Sequence, residues 1–408
     1  MPLDWDSVPS SVRAVVEALR FSESSTERLR DVSEKEWPAL LDWCDRRQVT
    51  LLLHELCGAQ MPDAVQSRIA LSRERYALRF VRIESELMEI AEAMRTRGIE
   101  FVVLKGITHA PALTPHPLLR AQGDIDLWFE ASSIHNARTV LLELGYQPRR
   151  GTQTKDDRRH LAPMARPSSW KWRGDIFDPE MPIHVEAHFQ LWSDDAEHVP
   201  IPGQMDFWTR RTARDFSGRS LPVLCGPDLL GFAALHFLLH LLHGDLPLQR
   251  AWEIAFFLHA NARNEEFWKR RRQLHSPALR RMGPVAFAIA HAWFHSELHD
   301  GVRRDIHALA DDVRLWLDHF ALSPLKQRSS PNKHELWLHI ALIPTMTGRA
   351  SVLFRRLFPF VVGRKGGMSA SRLVHHCRTF KPTLTGGLYW LHLKRQVQRA
   401  ASLPAPSP

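Results

Sequence analysis

The chain alternates between two hydrophobic rhythms. Over residues 63–97 the side chains Ile69, Tyr76, Phe80, Ile83, Leu87 and Ile90 recur every three or four positions with few breakers, which predicts one long helix with a single buried face. Shorter helical patterns precede it at 10–19 and 36–46. After residue 100 the rhythm shortens. Apolar runs at 101–104, 124–129, 171–177 and 183–189 predict strands, and residues 132–144, closed by Gly145, predict a helix among them. Helical spacing returns at 227–260, broken at Gly244-Asp245, and continues at 264–299 and 304–320. Residues 148–166 are polar and basic and read as a loop or a poorly ordered hairpin, and 323–333 as a polar loop. This order predicts an α/β (α+β) protein in which a small mixed sheet is flanked by helical regions. Its parts are an N-terminal helical region at 1–97, the sheet unit at 98–225, a helical domain at 226–325 and a C-terminal region at 326–408.

Composition adds a charge asymmetry. The net charge is +9, yet residues 336–408 carry 11 Lys and Arg and no Asp or Glu, which leaves 43 basic and 45 acidic residues elsewhere. That basic stretch also holds Trp337, Phe354, Phe358, Phe360 and Trp390, a pattern suited to nucleic-acid phosphates, a membrane surface or an anionic partner, or to a solvated basic face packed by its own aromatics. Within it Gly363-Arg364-Lys365-Gly366-Gly367 lacks the spacing of a phosphate loop and reads as a basic turn, and the final SLPAPSP reads as a disordered tail. No apolar run nears the length of a membrane span, and the start lacks a basic region followed by an apolar one, so the expected location is the cytoplasm, with the basic region able to touch a membrane periphery. Four scattered cysteines make neither a zinc site nor a disulfide framework.

The candidate chemistry lies between residues 100 and 190. Asp124 and Asp126 sit two apart in a strand pattern, so both carboxylates share one face, roughly 6.6 Å apart along the chain. Such a pair repels unless a cation lies between the two, and a divalent ion supplies it. Lys105-Gly106 follows the first strand and precedes a predicted helix at 107–113, a plausible phosphate cradle, and Arg120 offers a forked contact. On the later strand His184, Glu186 and His188 share a face, with Glu186 the natural third carboxylate for two Mg²⁺ ions. The same three residues also suit zinc, an alternative that leaves Asp124 and Asp126 unexplained. His236, His240 and His243 share a helical face, either packed between domains or lining a cleft, and Arg250 and Glu253 lie one turn apart, as a surface ion pair would.

Taken together, Leu104-Lys105-Gly106, Arg120, Asp124-Ile125-Asp126-Leu127 and Glu186-Ala187-His188 resemble the nucleotidyltransferases of the DNA polymerase beta superfamily, most closely its uncharacterised bacterial nucleotidyltransferase family. The resemblance spans about residues 60 to 265. Lys105-Gly106 stands where the wider superfamily has Gly-Ser or Gly-Gly, and Glu186 where Asp is common. The resemblance implies a Mg²⁺ (or Mn²⁺)-dependent transfer of a nucleoside monophosphate from an NTP such as ATP to an acceptor hydroxyl or phosphate, with release of pyrophosphate. It makes Asp124, Asp126 and Glu186 the catalytic metal ligands and Lys105, Gly106 and Arg120 the triphosphate site. The family's helical region carries a His and then an Arg-x-x-Asp pair, which Arg250 and Glu253 resemble with Glu in place of Asp, and this implies nucleotide binding by His240 and Arg250. The acceptor implied is a small molecule, a sugar or a modified peptide of a bacterial biosynthetic pathway. Transfer to RNA, as in related toxin-type enzymes, and a nucleotide-binding regulator without turnover are the alternatives.

Overall fold

The computed structural model describes residues 3–148, 159–327, 329–358 and 370–401. The predicted long helix spans Asp63–Thr96 and buries Ile69, Tyr76, Phe80, Ile83, Leu87 and Ile90, as its periodicity demands. Ser10–Ala18 and Trp37–Arg46 are helices as expected, joined by a further one at Thr50–Cys57.

The long helix delivers the chain into a mixed sheet. Its strands are β1 (Val102–Leu104), β2 (Asp124–Trp128), β3 (Gln147–Pro148), β4 (Met164–Ala165), β5 (His184–His188), β6 (Thr212–Phe216) and β7 (Arg219–Val223). They lie in the order β3-β4-β5-β2-β1-β7-β6. The helix Ile134–Glu143 follows β2. Strand β2 runs antiparallel to β1 and parallel to β5, which places the two acidic strands side by side at the centre.

Three local expectations are corrected. Residues 171–177 form no strand, because Gly174 takes φ +85° and Asp175 caps the amide of Phe177, so the chain turns there. The helix expected at 107–113 is a single 3-10 turn, Gly106–His109; Ala110 is extended ahead of Pro111, as a residue before proline tends to be. The hairpin β6–β7 was not expected. Its β6 is polar and largely exposed, and its turn is made by Ser217 and Gly218, both at positive φ.

Beyond the sheet, Gly226–Leu242 and Leu248–Ala260 are helices separated where Gly244 takes φ +83°. The pattern at 264–299 resolves into Glu265–Leu274 and Pro277–Phe294, and that at 304–320 into Asp300–His307 and Asp311–Phe320. A short helix, Ser323–Lys326, opens the expected loop at 323–333. The basic region contributes the helices Glu335–Leu342, Met346–Leu357 and Ala370–Ala401. There Trp337 and Trp390 stack with centroids 6.2 Å apart and are buried, whereas Phe354 and Phe358 are exposed. Phe360, the Gly363–Gly367 turn, most of the polar stretch after Pro148 and the SLPAPSP tail lie outside the described residues. Among the described residues no helix is long and apolar enough to cross a membrane.

Candidate active site

Parallel pairing of β2 with β5 sets Asp124 opposite His184, Asp126 opposite Glu186 and Trp128 opposite His188. Paired residues on adjacent strands project to the same face, so one side of the sheet gathers the acids and histidines. The other side carries Ile125, Leu127, Val185 and Ala187 into the core. Asp126 is only 2% exposed, and its Oδ1 accepts from Lys105 Nζ at 2.8 Å and lies 2.9 Å from His188 Nε2. Glu186 Oε2 is 3.5 Å from the same imidazole nitrogen. Asp126, Glu186 and His188 thus offer three ligand atoms within 4.8 Å of one another, and Asp124 stands beside this set rather than within it.

Electrostatics separates the two aspartates. Burial would raise the Asp126 carboxyl, but the Lys105 ammonium and His188 override it and hold the group well below the usual carboxylate range. Burial raises Asp124, and the negative charge of Asp126 pushes it the same way. Lys105 and His188 thus offset the charge of Asp126, while Asp124 stays raised by burial and by its neighbour. A divalent ion fits this donor set.

Backbone devices hold the face in position. Lys105 sits at φ 55° and ψ −161°, a conformation that non-glycine residues adopt at a cost of about 1–3 kcal/mol and keep only when their surroundings enforce it. Gly106, also at positive φ, lies so close to Gln122 that an added Cβ would fall 2.3 Å from its Oε1. Gln122 in turn bonds the carbonyl of Asp124 through Nε2, and its backbone N–H donates to Tyr76 Oη at 3.0 Å. Arg79, fully buried, donates to the carbonyls of Gly123 at 3.1 Å, Gln122 at 3.4 Å and Asp178 at 3.4 Å, and to that of Met181. One guanidinium thereby ties the approach to β2 to the approach to β5. Arg79 and Gln122 escaped the sequence reading. The signal was an arginine within the buried stripe of the long helix, one turn after Tyr76.

The helices Gly226–Leu242 and Leu248–Ala260 supply a second wall. Glu253 is not half of a surface pair with Arg250. It is 2% exposed, accepts from Arg120 Nε at 2.8 Å and lies 3.1 Å from His109 Nδ1. Burial opposes ionisation of Glu253, but His109 and Arg120 outweigh it and bring the carboxyl down to about 2. The Arg250 side chain makes no hydrogen bond or ion pair among the described residues, and its Nε is buried without a partner. Burial and then the charge of Arg120 lower its pKa, against the opposing pull of Glu253, Asp245 and Asp124.

The three histidines divide. His240 Nδ1 lies 3.2 Å from Asp245 Oδ2 and its Nε2 3.1 Å from His236 Nε2, while His243 turns aside to Glu197 at 3.0 Å. Burial and then Arg250 bring His240 down to about 4, so it is neutral at pH 7. Asp245 therefore fixes the proton on Nδ1, and His240 Nε2 accepts from His236. Burial, and then the charges of Lys105 and Arg250, push His236 well below the usual imidazole range.

Comparison with known proteins matches residues 33–295 to the model of a family described as an uncharacterised nucleotidyltransferase. No curated protein and no solved structure matches.

Proposed function

The chain belongs to this uncharacterised nucleotidyltransferase family, and from that premise we propose that it moves a nucleoside monophosphate from an NTP, ATP among the candidates, to an acceptor hydroxyl or phosphate in a Mg²⁺- or Mn²⁺-dependent reaction. The acceptor oxygen forms a bond to the α-phosphorus, the α–β phosphoanhydride bond breaks, and pyrophosphate leaves with its electron pair. The observation that carries the reading is the meeting of Asp126, Glu186 and His188 within 4.8 Å beneath a wall that holds the unpartnered Arg250.

Asp124, Asp126 and Glu186 would hold the metal, which supplies charge neutralisation at the phosphates and a lower pKa for the attacking hydroxyl. Lys105 leaves Asp126 for the triphosphate, and Gly106 lets the backbone turn beneath it. Arg250 takes up a phosphate oxygen by charge-assisted hydrogen bonds, and Arg120, held by Glu253, adds positive potential behind it. His240, with its proton fixed by Asp245, orients His236 toward the nucleotide. Glu186, nearest the acceptor side, favours loss of the acceptor proton.

We favour a small molecule, a sugar or a modified peptide as acceptor. An RNA acceptor would engage the basic residues 336–408 and make binding fall steeply with salt; the same region is available to another anionic partner or a membrane surface. The test is incubation with each NTP, Mg²⁺ or Mn²⁺ and candidate acceptors while pyrophosphate is followed. Asp124→Asn and Asp126→Asn should each lose transfer while melting like the wild type. Full activity in Asp126→Asn would remove the proposal.

A further inference from the structure

We propose that the metal centre is a mixed oxygen–nitrogen one, in which His188 Nε2 binds the ion directly beside Asp126 and Glu186, so that the site takes Mn²⁺ in preference to Mg²⁺. This rests on the nucleotidyltransferase reading of the same face and goes beyond it in naming the ligand and the ion.

The separations carry the argument. Adjacent donors on a six-coordinate ion with bonds near ~2.1 Å lie about 3 Å apart. His188 Nε2 is 2.9 Å from Asp126 Oδ1 and 3.5 Å from Glu186 Oε2, so the imidazole nitrogen already stands at ligand spacing from both carboxylates. The strand geometry makes this arrangement durable. Glu186 and His188 are two apart on β5 and share a face, and β2 presents Asp126 directly opposite Glu186. His188 is 6% exposed, and the ring of His160 meets it edge-on with centroids 5.0 Å apart, which restricts its rotation.

Chemistry then discriminates between ions. Mg²⁺ favours an all-oxygen octahedron and gives up water reluctantly, whereas an imidazole among carboxylates suits first-row transition ions, of which Mn²⁺ comes nearest to Mg²⁺ in its preference for carboxylate and water ligands. The rival account is that His188 only hydrogen-bonds Asp126 and never touches the ion.

The two accounts separate by pulsed electron paramagnetic resonance of Mn²⁺ on the full chain. Inorganic tripolyphosphate serves as the probe because it carries no nitrogen. The expected result is coupling to a ¹⁴N nucleus in the wild type that becomes ¹⁵N coupling when the histidines are ¹⁵N-labelled, a readout that needs no variant to fold. The coupling should vanish in His188→Gln and persist in His160→Gln. Mn²⁺ should displace Mg²⁺ in competition, and His188→Gln should weaken Mn²⁺ binding at least about 10-fold, the lower bound for residues that merely orient a ligand. Bound Mn²⁺ without nitrogen coupling, or with Mg²⁺ binding equally well, overturns this inference and leaves metal-dependent transfer standing. Mn²⁺ left unbound where Mg²⁺ binds overturns this inference alone, and no binding of either ion overturns both.

Discussion

Arg120 Nε donates to Glu253 Oε1 over 2.8 Å although the two residues stand 133 positions apart. Both are buried, so this ion pair locks the loop that leads into β2 against the helix Leu248–Ala260. The two walls of the site are thus fastened by a charge that must stay paired.

Glu253→Gln should therefore destabilise the protein by about 3–5 kcal/mol, because it leaves Arg120 buried beside a neutral amide. Urea unfolding measures this directly. An unchanged midpoint would mean that Arg120 finds water or another acceptor at no cost.

Arg250 should behave in the opposite way. Arg250→Met removes a guanidinium whose Nε has no partner, so stability should hold or rise. NTP binding should weaken by about 10- to 100-fold, the loss of a charge-assisted hydrogen bond worth about 1.5–3 kcal/mol. Calorimetric titration with a non-hydrolysable NTP decides it, and unaltered affinity would place the triphosphate elsewhere.

Gly106→Ala should injure the site through Gln122. The added Cβ would sit 2.3 Å from Gln122 Oε1, and the φ of +53° is unfavourable to any side chain. Gln122 must then release the Asp124 carbonyl. A loss of about 1–3 kcal/mol in unfolding experiments is expected, and Gly106→Ala with Gln122→Ala should recover only part of it, because the backbone strain remains. Full recovery in the double variant would show that the contact alone matters.

Glu335 offers a test by pH. It is 1% exposed, its Oε1 accepts from Arg356 at 2.8 Å, and its Oε2 is buried without a partner. Burial raises its carboxyl from 4.5 to about 7, against the opposing pull of Arg356. A folded-state pKa above the unfolded one means stability that is complete below pH 4.5 and is lost as pH rises through about 7. The loss should total about 3 kcal/mol. Relative to Glu335→Gln, which cannot ionise, the wild type should lose stability steadily across that window and then level off. Parallel pH profiles would refute a buried neutral carboxyl.

What the sequence determined by itself was everything that rests on neighbours along the chain. The stripe from Ile69 to Ile90 fixed the long helix, because a 3.6-residue period leaves one face to bury. The two-residue period of β2 and β5 put Asp124 with Asp126, and Glu186 with His188, on common faces before any fold was known. Residues 171–177 misled because Trp170, Trp172 and Phe177 look strand-like, whereas Trp170 Nε1 bonds Asp178 at 2.9 Å within a turn. The β6–β7 hairpin stayed hidden because its outer strand buries little and shows no apolar alternation.

Only the tertiary structure decided how those faces meet. Strand register is set by packing and by long-range hydrogen bonds, and that register put Asp126 opposite Glu186 and brought His188 into their company. The same holds for Arg79, whose carbonyl partners lie 43 to 103 residues away, and for Glu253, whose nearest charge in sequence, Arg250, proved not to be its partner. A buried charge takes whichever counter-charge the fold delivers, and sequence spacing carries no record of that choice.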